Sequence, residues 1–261
     1  MTNPSSAVES VTISADGTPI HWQHQGTGPG LVLVDAVLFG RATSPSAELI
    51  DPLAEMFTVI TYDRRGKGDS GDTPPWSPAR EAGDLVAVIE AAAISPVNVY
   101  GLSSGGTLAL YAAANGAPID RLVVLEPPLG PLPGVNELEA QLTTLVEAGD
   151  GAEAIRIFHE FQGMPDEVIE QLAPMRAALA PAAGTIRYDT TLSNTVTDDL
   201  LALVAAPTLA LSSQASPPLL TDFAARVGTH APRAEHRSLP GDWHGLSTGT
   251  LVSAIREFCL I

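Results

Sequence analysis

The nine residues from Asn98 to Gly106 constrain this chain more than any other stretch. Asn98, Val99 and Tyr100 read as the end of a short β-strand. Thr107 to Asn115, rich in Ala and Leu and free of Pro, reads as a helix. Between them Gly101-Leu102-Ser103-Ser104-Gly105 is a G-x-S-x-G match. Strand, tight turn and helix are the context in which that match becomes a nucleophile elbow. The turn is too sharp for side chains on its flanks, which is why Gly101 and Gly105 stand there. Ser103 is left at the apex in a strained conformation, with its Oγ exposed. The helix behind it aims N-terminal N–H groups at the same spot and favours developing negative charge.

The rest of the chain fits around such an elbow. Val11–Ser14 and Ile20–His24 alternate around a turn at Ala15-Asp16-Gly17 and read as a hairpin, with His21 and His24 as exposed strand residues. Leu31–Val34, Phe57–Tyr62, Arg121–Glu126 and Thr208–Ser212 are short apolar runs of the kind buried on both faces of a sheet. Ala234–Leu239 reads as a last strand. Helices are expected over Ser44–Met56, Pro78–Ala93, Leu219–Val227 and Thr248–Phe258. Alternation of this kind implies an α/β fold with a mostly parallel, doubly wound sheet. From Leu129 to about Asp199 the texture changes. Asn136–Ala148, Gly151–Gln162 and Pro165–Ala180 read as helices with no strand-like run between them. The expected organisation is a core over 1–128 and 200–261, with a helical cap inserted over 129–199.

Composition narrows the partners. The 261 residues carry a formal net charge of −17, which argues against nucleic acid and anionic membranes as partners. There is no run of eighteen apolar residues and no basic-then-apolar leader at Met1–Ser10, so a cytoplasmic protein is expected. The single cysteine, Cys259, excludes an internal disulfide and reads as a packing residue of the last helix. Lys67 is the only lysine. A small-molecule substrate is expected, with no cofactor and no metal, for a chain acting alone or as a homodimer.

Three elements together resemble the α/β-hydrolase family, across nearly the whole chain. They are Gly101-Leu102-Ser103-Ser104-Gly105, the turn Asp63-Arg64-Arg65-Gly66-Lys67-Gly68-Asp69-Ser70, which matches the family's D-x-R-G-x-G-x-S after the fourth strand, and His244 in the loop after the last strand. The chain departs from the family pattern twice. Asp35-Ala36 stands where many members have His-Gly. Ser216 stands where many have the acid, in a stretch reading Ser213-Gln214-Ala215-Ser216.

A serine hydroxyl needs a general base in reach, and the base needs an orienting carboxylate. His244 is the candidate base, in the chain order Ser, acid, His. His159 falls in the cap, where it could face substrate, and His230 and His236 fall near the last strand. Glu126 is the candidate acid, because it ends its strand at the carboxyl edge where open α/β sheets bind ligands. It resembles the variant with the acid after the sixth strand, seen in some haloalkane dehalogenases and zearalenone-type lactonases. Asp242 is the alternative, two residues from His244. By family resemblance the backbone N–H groups of Ser104 and Val37 form the oxyanion hole. Asp35, His159, Tyr188, Asp189 and Trp243 are candidate substrate contacts. The D-x-R-G-x-G-x-S turn reads as structural, tied by Asp63 and Arg65, with Gly66 and Gly68 at positive φ. The resemblance implies a serine hydrolase that cleaves an ester or lactone of a small to medium neutral substrate through an acyl-enzyme. A serine nucleophile argues against dehalogenase and epoxide-hydrolase chemistry. A C–C bond hydrolase or lyase with the same Ser and His, and a non-catalytic binder, are the rivals.

Overall fold

The computed structural model describes residues 7–260. Eight strands, β1 (Val8–Ile13), β2 (Pro19–Gly26), β3 (Gly30–Val34), β4 (Thr58–Tyr62), β5 (Val97–Leu102), β6 (Arg121–Leu125), β7 (Thr208–Ser213) and β8 (Ala234–Leu239), form one sheet. Their spatial order is β1-β2-β4-β3-β5-β6-β7-β8. β2 pairs antiparallel with β1 and β4, and every other pairing is parallel. The central strands β3, β4 and β7 are buried along their whole length, which explains their unbroken apolar sequences. The expected mostly parallel, doubly wound sheet is present.

Helices cover both faces. α2 (Pro78–Ala92), α3 (Ser104–Ala114) and α10 (Pro218–His230) supply one apolar core with residues such as Leu85, Leu108 and Phe223. α1 (Ala47–Ala54) and α11 (Thr248–Cys259) supply the other with Leu53, Leu251 and Ile255. Cys259 is buried there, and burial pushes its thiol up to about 12, in keeping with a packing role. Between β6 and β7 the chain runs through α4 (Val135–Glu147), α5 (Gly151–Phe161), α6 (Asp166–Gln171), α7 (Ala173–Leu179), a 3₁₀ segment (Ala180–Thr185), α8 (Ile186–Thr195) and α9 (Asp198–Leu201). A third apolar cluster joins Leu138, Ile155, Phe158 and Ile186 of these helices to Val37 and Leu38 after β3.

Several details differ from the sequence expectation. The single helix expected over 165–180 is two helices meeting at Leu172, because Pro174 in the first turn of α7 has no N–H to continue the α6 ladder. The helix expected over 44–56 is the shorter α1, preceded by a 3₁₀ turn at Arg41–Thr43. α8 and α9 were not expected at all. His21 and His24 are half-buried rather than exposed, with His24 stacked on Trp22 at 5.7 Å.

Candidate active site

Chain order reverses in space between β3 and β5, and this switch point is where open α/β sheets bind ligands, at the strands' carboxyl ends. Ser103 follows β5 there, at φ 52° and ψ −125°. Its N–H donates to the Leu125 carbonyl of β6 at 2.9 Å, and α3 begins at the next residue. A Cβ at Gly105 would overlap the Val34 carbonyl oxygen of β3, so only glycine lets the elbow sit this close to its neighbour.

Glu126 follows β6 and is fully buried. Its carboxylate accepts three hydrogen bonds: from the Ser213 N–H at 2.7 Å, the Ser216 hydroxyl at 3.0 Å and His244 Nδ1 at 2.7 Å. Burial alone would raise its pKa, but these bonds, His244 foremost, hold it below the ordinary carboxylate value. An ionised carboxylate only accepts, so Nδ1 carries the proton and the imidazole keeps its lone pair on Nε2, as a general base requires. His244 lies on a short loop closed by paired backbone bonds between Asp242 and Gly245.

Ser216, the residue at the family's usual acid position, spans the pair. Its hydroxyl donates to Glu126 Oε2 and accepts the His244 N–H at 2.9 Å. No sequence signal marked it for this role. Asp242, the alternative acid, is solvent-exposed. Five non-glycine residues have positive φ among those described, and Ser103, Glu126 and His244 are three of them, with Leu38 beside Val37 a fourth. Left-handed backbone at such residues costs about 1–3 kcal/mol each and persists only where the surroundings impose it.

Val37, Ser103, Ser104, Asp189, Trp243 and His244 share one pocket of about 100 Å³. Its other walls are mostly apolar: Leu132, Phe158, Phe161, Leu219, Leu220 and Phe223. Phe158 and Phe161, one turn apart on α5, were legible only as an apolar helix face. Three candidate contacts lie elsewhere. His159 does not line this pocket; its Nδ1 is buried without a partner, and burial, with Arg176 near, pushes its pKa down. Tyr188 stacks flat on Trp76 at 4.6 Å and donates its hydroxyl to Asp72. Asp35 is a buried loop tie. It accepts the Ser46 hydroxyl at 2.7 Å, and burial pushes its carboxyl up.

The 63–70 turn is held by more than its expected ties. Asp63 accepts the Arg41 and Asp69 N–H groups, and Gly66 and Gly68 have positive φ. Arg65 makes ion pairs with Asp84 and Asp16 instead of backbone bonds alone. His236 donates to or accepts from the Ser212 hydroxyl at 2.9 Å, and His230 lies on the surface near Asp198.

A family model described as the alpha/beta hydrolase family matches residues 28–250. The chain belongs to the alpha/beta hydrolase family. It is similar to a solved alpha/beta hydrolase from Sphaerobacter thermophilus, at 36% identity and a TM-score of 0.86, covering 96% of this chain and 100% of that one. It is 33% identical to human serine hydrolase BPHL over 113 residues, 41% of this chain and 39% of that protein. It is 30% identical to N-formylmaleamate deformylase of Pseudomonas putida over 143 residues, 52% of this chain and 51% of that protein. The chain thus spans between two fifths and about half the length of these two curated relatives. Within the family frame, no helix among the described residues is long and apolar enough to cross a membrane.

Proposed function

We propose that this hydrolase cleaves a carboxylic ester or lactone of a small, neutral substrate through an acyl-enzyme on Ser103. His244 Nε2 takes the Ser103 proton as Oγ attacks the carbonyl, and returns it to the leaving alkoxide. Glu126 holds the imidazole and stabilises the imidazolium. The oxyanion is met by the Ser104 and Val37 N–H groups and by the positive end of α3. Water then repeats the cycle on the acyl-enzyme. The observation that carries this reading is the 2.7 Å bond from His244 Nδ1 to a buried Glu126 in a chain whose usual acid position is Ser216.

Pocket size and lining support the substrate class. About 100 Å³ is less than the ~150 Å³ that holds a benzene, so the enclosed part takes an acyl group of a few carbons. No Arg or Lys lines it, which disfavours carboxylates. The deformylase relative makes a formamide the second bond to test.

Labelling with a fluorophosphonate, read by intact mass, tests the reading. One rapid adduct on the wild type, absent in Ser103→Ala and slowed in Glu126→Gln, is the expected result. A wild type that takes no label and hydrolyses neither p-nitrophenyl acetate nor N-formyl anilide would overturn it in favour of a binder or lyase.

A further inference from the structure

Behind the oxyanion site lies a buried group of charges that the mechanism above does not use. Arg64 is 1% exposed and occupies the first variable position of the 63–70 turn. Its Nε donates to Glu81 Oε1 at 2.8 Å, and Trp76 donates to the other oxygen of Glu81 at 2.8 Å. That fixes one edge of the guanidinium. The other edge is aimed at three groups by a single nitrogen. Nη1 lies 2.7 Å from Asp189 Oδ1, 3.2 Å from Ser104 Oγ and 3.4 Å from the Asp35 carbonyl oxygen. Lys67 Nζ meets the second Asp189 oxygen at 2.9 Å. Burial would raise the Asp189 pKa, but Arg64 and Lys67 hold it below the ordinary value, so this cap carboxylate is charged.

The three groups around Nη1 come from three different parts of the chain. Ser104 is the first residue of α3, and its N–H is one proposed oxyanion donor. Asp35 lies two residues before Val37, whose N–H is the other. Asp189 sits on α8, one of the helices between β6 and β7, and lines the pocket. One nitrogen therefore reaches both donor-bearing segments and the cap at once while Nε of the same rigid plane is held by Glu81, a two-point anchorage that a lysine cannot reproduce.

We propose that Arg64 and Asp189 are positioning residues for the oxyanion hole, setting the spacing of the Ser104 and Val37 N–H groups through the Ser104 hydroxyl and the Asp35 carbonyl, so that the hole is fully assembled only with α8 seated. This rests on the hydrolytic reading of the same site. Neither residue touches the reacting atoms. Their effect is on where the donors stand, and misplacing a donor weakens transition-state binding while leaving ground-state binding alone.

The test compares wild type with Arg64→Lys, Asp189→Asn and Ser104→Ala. Each is assayed with p-nitrophenyl acetate, with trifluoroacetophenone, which forms a tetrahedral oxyanion adduct on an activated serine, and with acetophenone, which has the same shape and forms none. The expected result for Arg64→Lys and Asp189→Asn is a kcat lower by roughly 10- to 100-fold with KM little changed. Trifluoroacetophenone inhibition weakens by the same factor, acetophenone inhibition is unchanged, and the pH profile of kcat/KM does not move, because the Glu126–His244 pair is untouched. Ser104→Ala shifts the same readouts in the same direction by less. A purely structural role would lower the melting temperature without this selective loss against the adduct. Should Arg64→Lys not fold, Asp189→Asn and Ser104→Ala keep the Arg64–Glu81 pair and decide the matter. Folded variants of both whose trifluoroacetophenone inhibition stays within about twofold of wild type would overturn the inference alone. A wild type that neither turns over the ester nor takes a fluorophosphonate would overturn the hydrolytic reading, and this inference with it.

Discussion

Ser216 has one hydroxyl and uses it in both directions, giving its proton to Glu126 and taking the His244 amide. Ser216→Ala leaves a buried carboxylate one donor short and a loop amide unpaired, a loss of about 1–3 kcal/mol. The expected outcome is a urea midpoint shifted down by that amount and a kcat/KM lower by roughly tenfold, since the His244 loop loses its anchor. Glu126→Gln removes the negative charge and turns one accepting oxygen into a donating amide, so the tautomer is no longer fixed, and should cost roughly 10³- to 10⁴-fold in kcat/KM. Adding Ser216→Asp to that variant puts a carboxylate beside the His244 loop again. Recovery of at least about tenfold is expected, and none would mean that the loop cannot offer Nδ1 to that side. Glu126 also links the site to pH. Its folded pKa lies below its ordinary 4.5, so its contribution to stability is full above that value and is lost as pH falls through the lower, folded one. The stability gap between wild type and Glu126→Gln should therefore be widest near neutrality and close on acidification. A gap that stays constant down to about pH 3 would contradict the depressed pKa.

At the scale of elements, the sheet and its site were legible wherever the signal was local. The elbow announced itself through two glycines and a serine between a strand and a helix. Glu126 was reachable because the apolar run before it stops there, which puts it at the sheet's carboxyl edge. α8 was not legible, and its sequence, Ile-Arg-Tyr-Asp-Thr-Thr-Leu-Ser-Asn-Thr, shows why: it is dominated by β-branched and short polar residues that are poor helix formers. Packing of Ile186, Tyr188 and Leu192 makes it a helix, and packing is invisible to a local reading. The same holds for Arg64 and Lys67, whose partner Asp189 is more than a hundred residues away in sequence. The packing of Tyr188 is hidden for a related reason, since its stacking partner Trp76 lies on another segment. Backbone strain separates function from fold in a testable way. Ala93, the fifth positive-φ residue, caps α2 in left-handed geometry at φ 53° and ψ 33°, ahead of the start of β5, whereas Ser103 follows that strand's other end. Ala93→Gly relieves the Cβ clash and should stabilise the protein by about 1 kcal/mol, read from urea unfolding, with kcat unchanged. A loss of stability would mean that the Ala93 methyl contributes packing that outweighs the strain.

For the whole molecule, the net charge of −17 and the character of the pocket act on a substrate at different ranges. The overall field repels an anionic substrate during approach, and salt screens it, with a Debye length of ~10 Å at 0.1 M. The pocket acts at contact. Its charged side chain is Asp189, and the cations behind it, Arg64 and Lys67, are already committed to Asp189 and Glu81. A carboxylate entering there loses its water and gains no counter-charge, a cost that bulk salt does not relieve. Two esters of one leaving group separate these contributions: neutral p-nitrophenyl acetate and the anionic p-nitrophenyl monoester of succinic acid. The acetate should be preferred by more than about tenfold in kcat/KM. Raising ionic strength from about 10 mM to about 300 mM should lift the succinate ester by a few-fold, leave the acetate unchanged, and leave most of the gap in place. A gap that vanishes in salt would assign the selectivity to the outer field alone, and a preference for the succinate ester would mean that a cation reaches the bound substrate after all. Lys67 is then the first side chain to examine. As the only lysine, and a buried one, it should resist amine-reactive acetylation while α8 is seated and become reactive in Asp189→Asn. Equal resistance in both proteins would show that the 63–70 turn shields it without help from the cap.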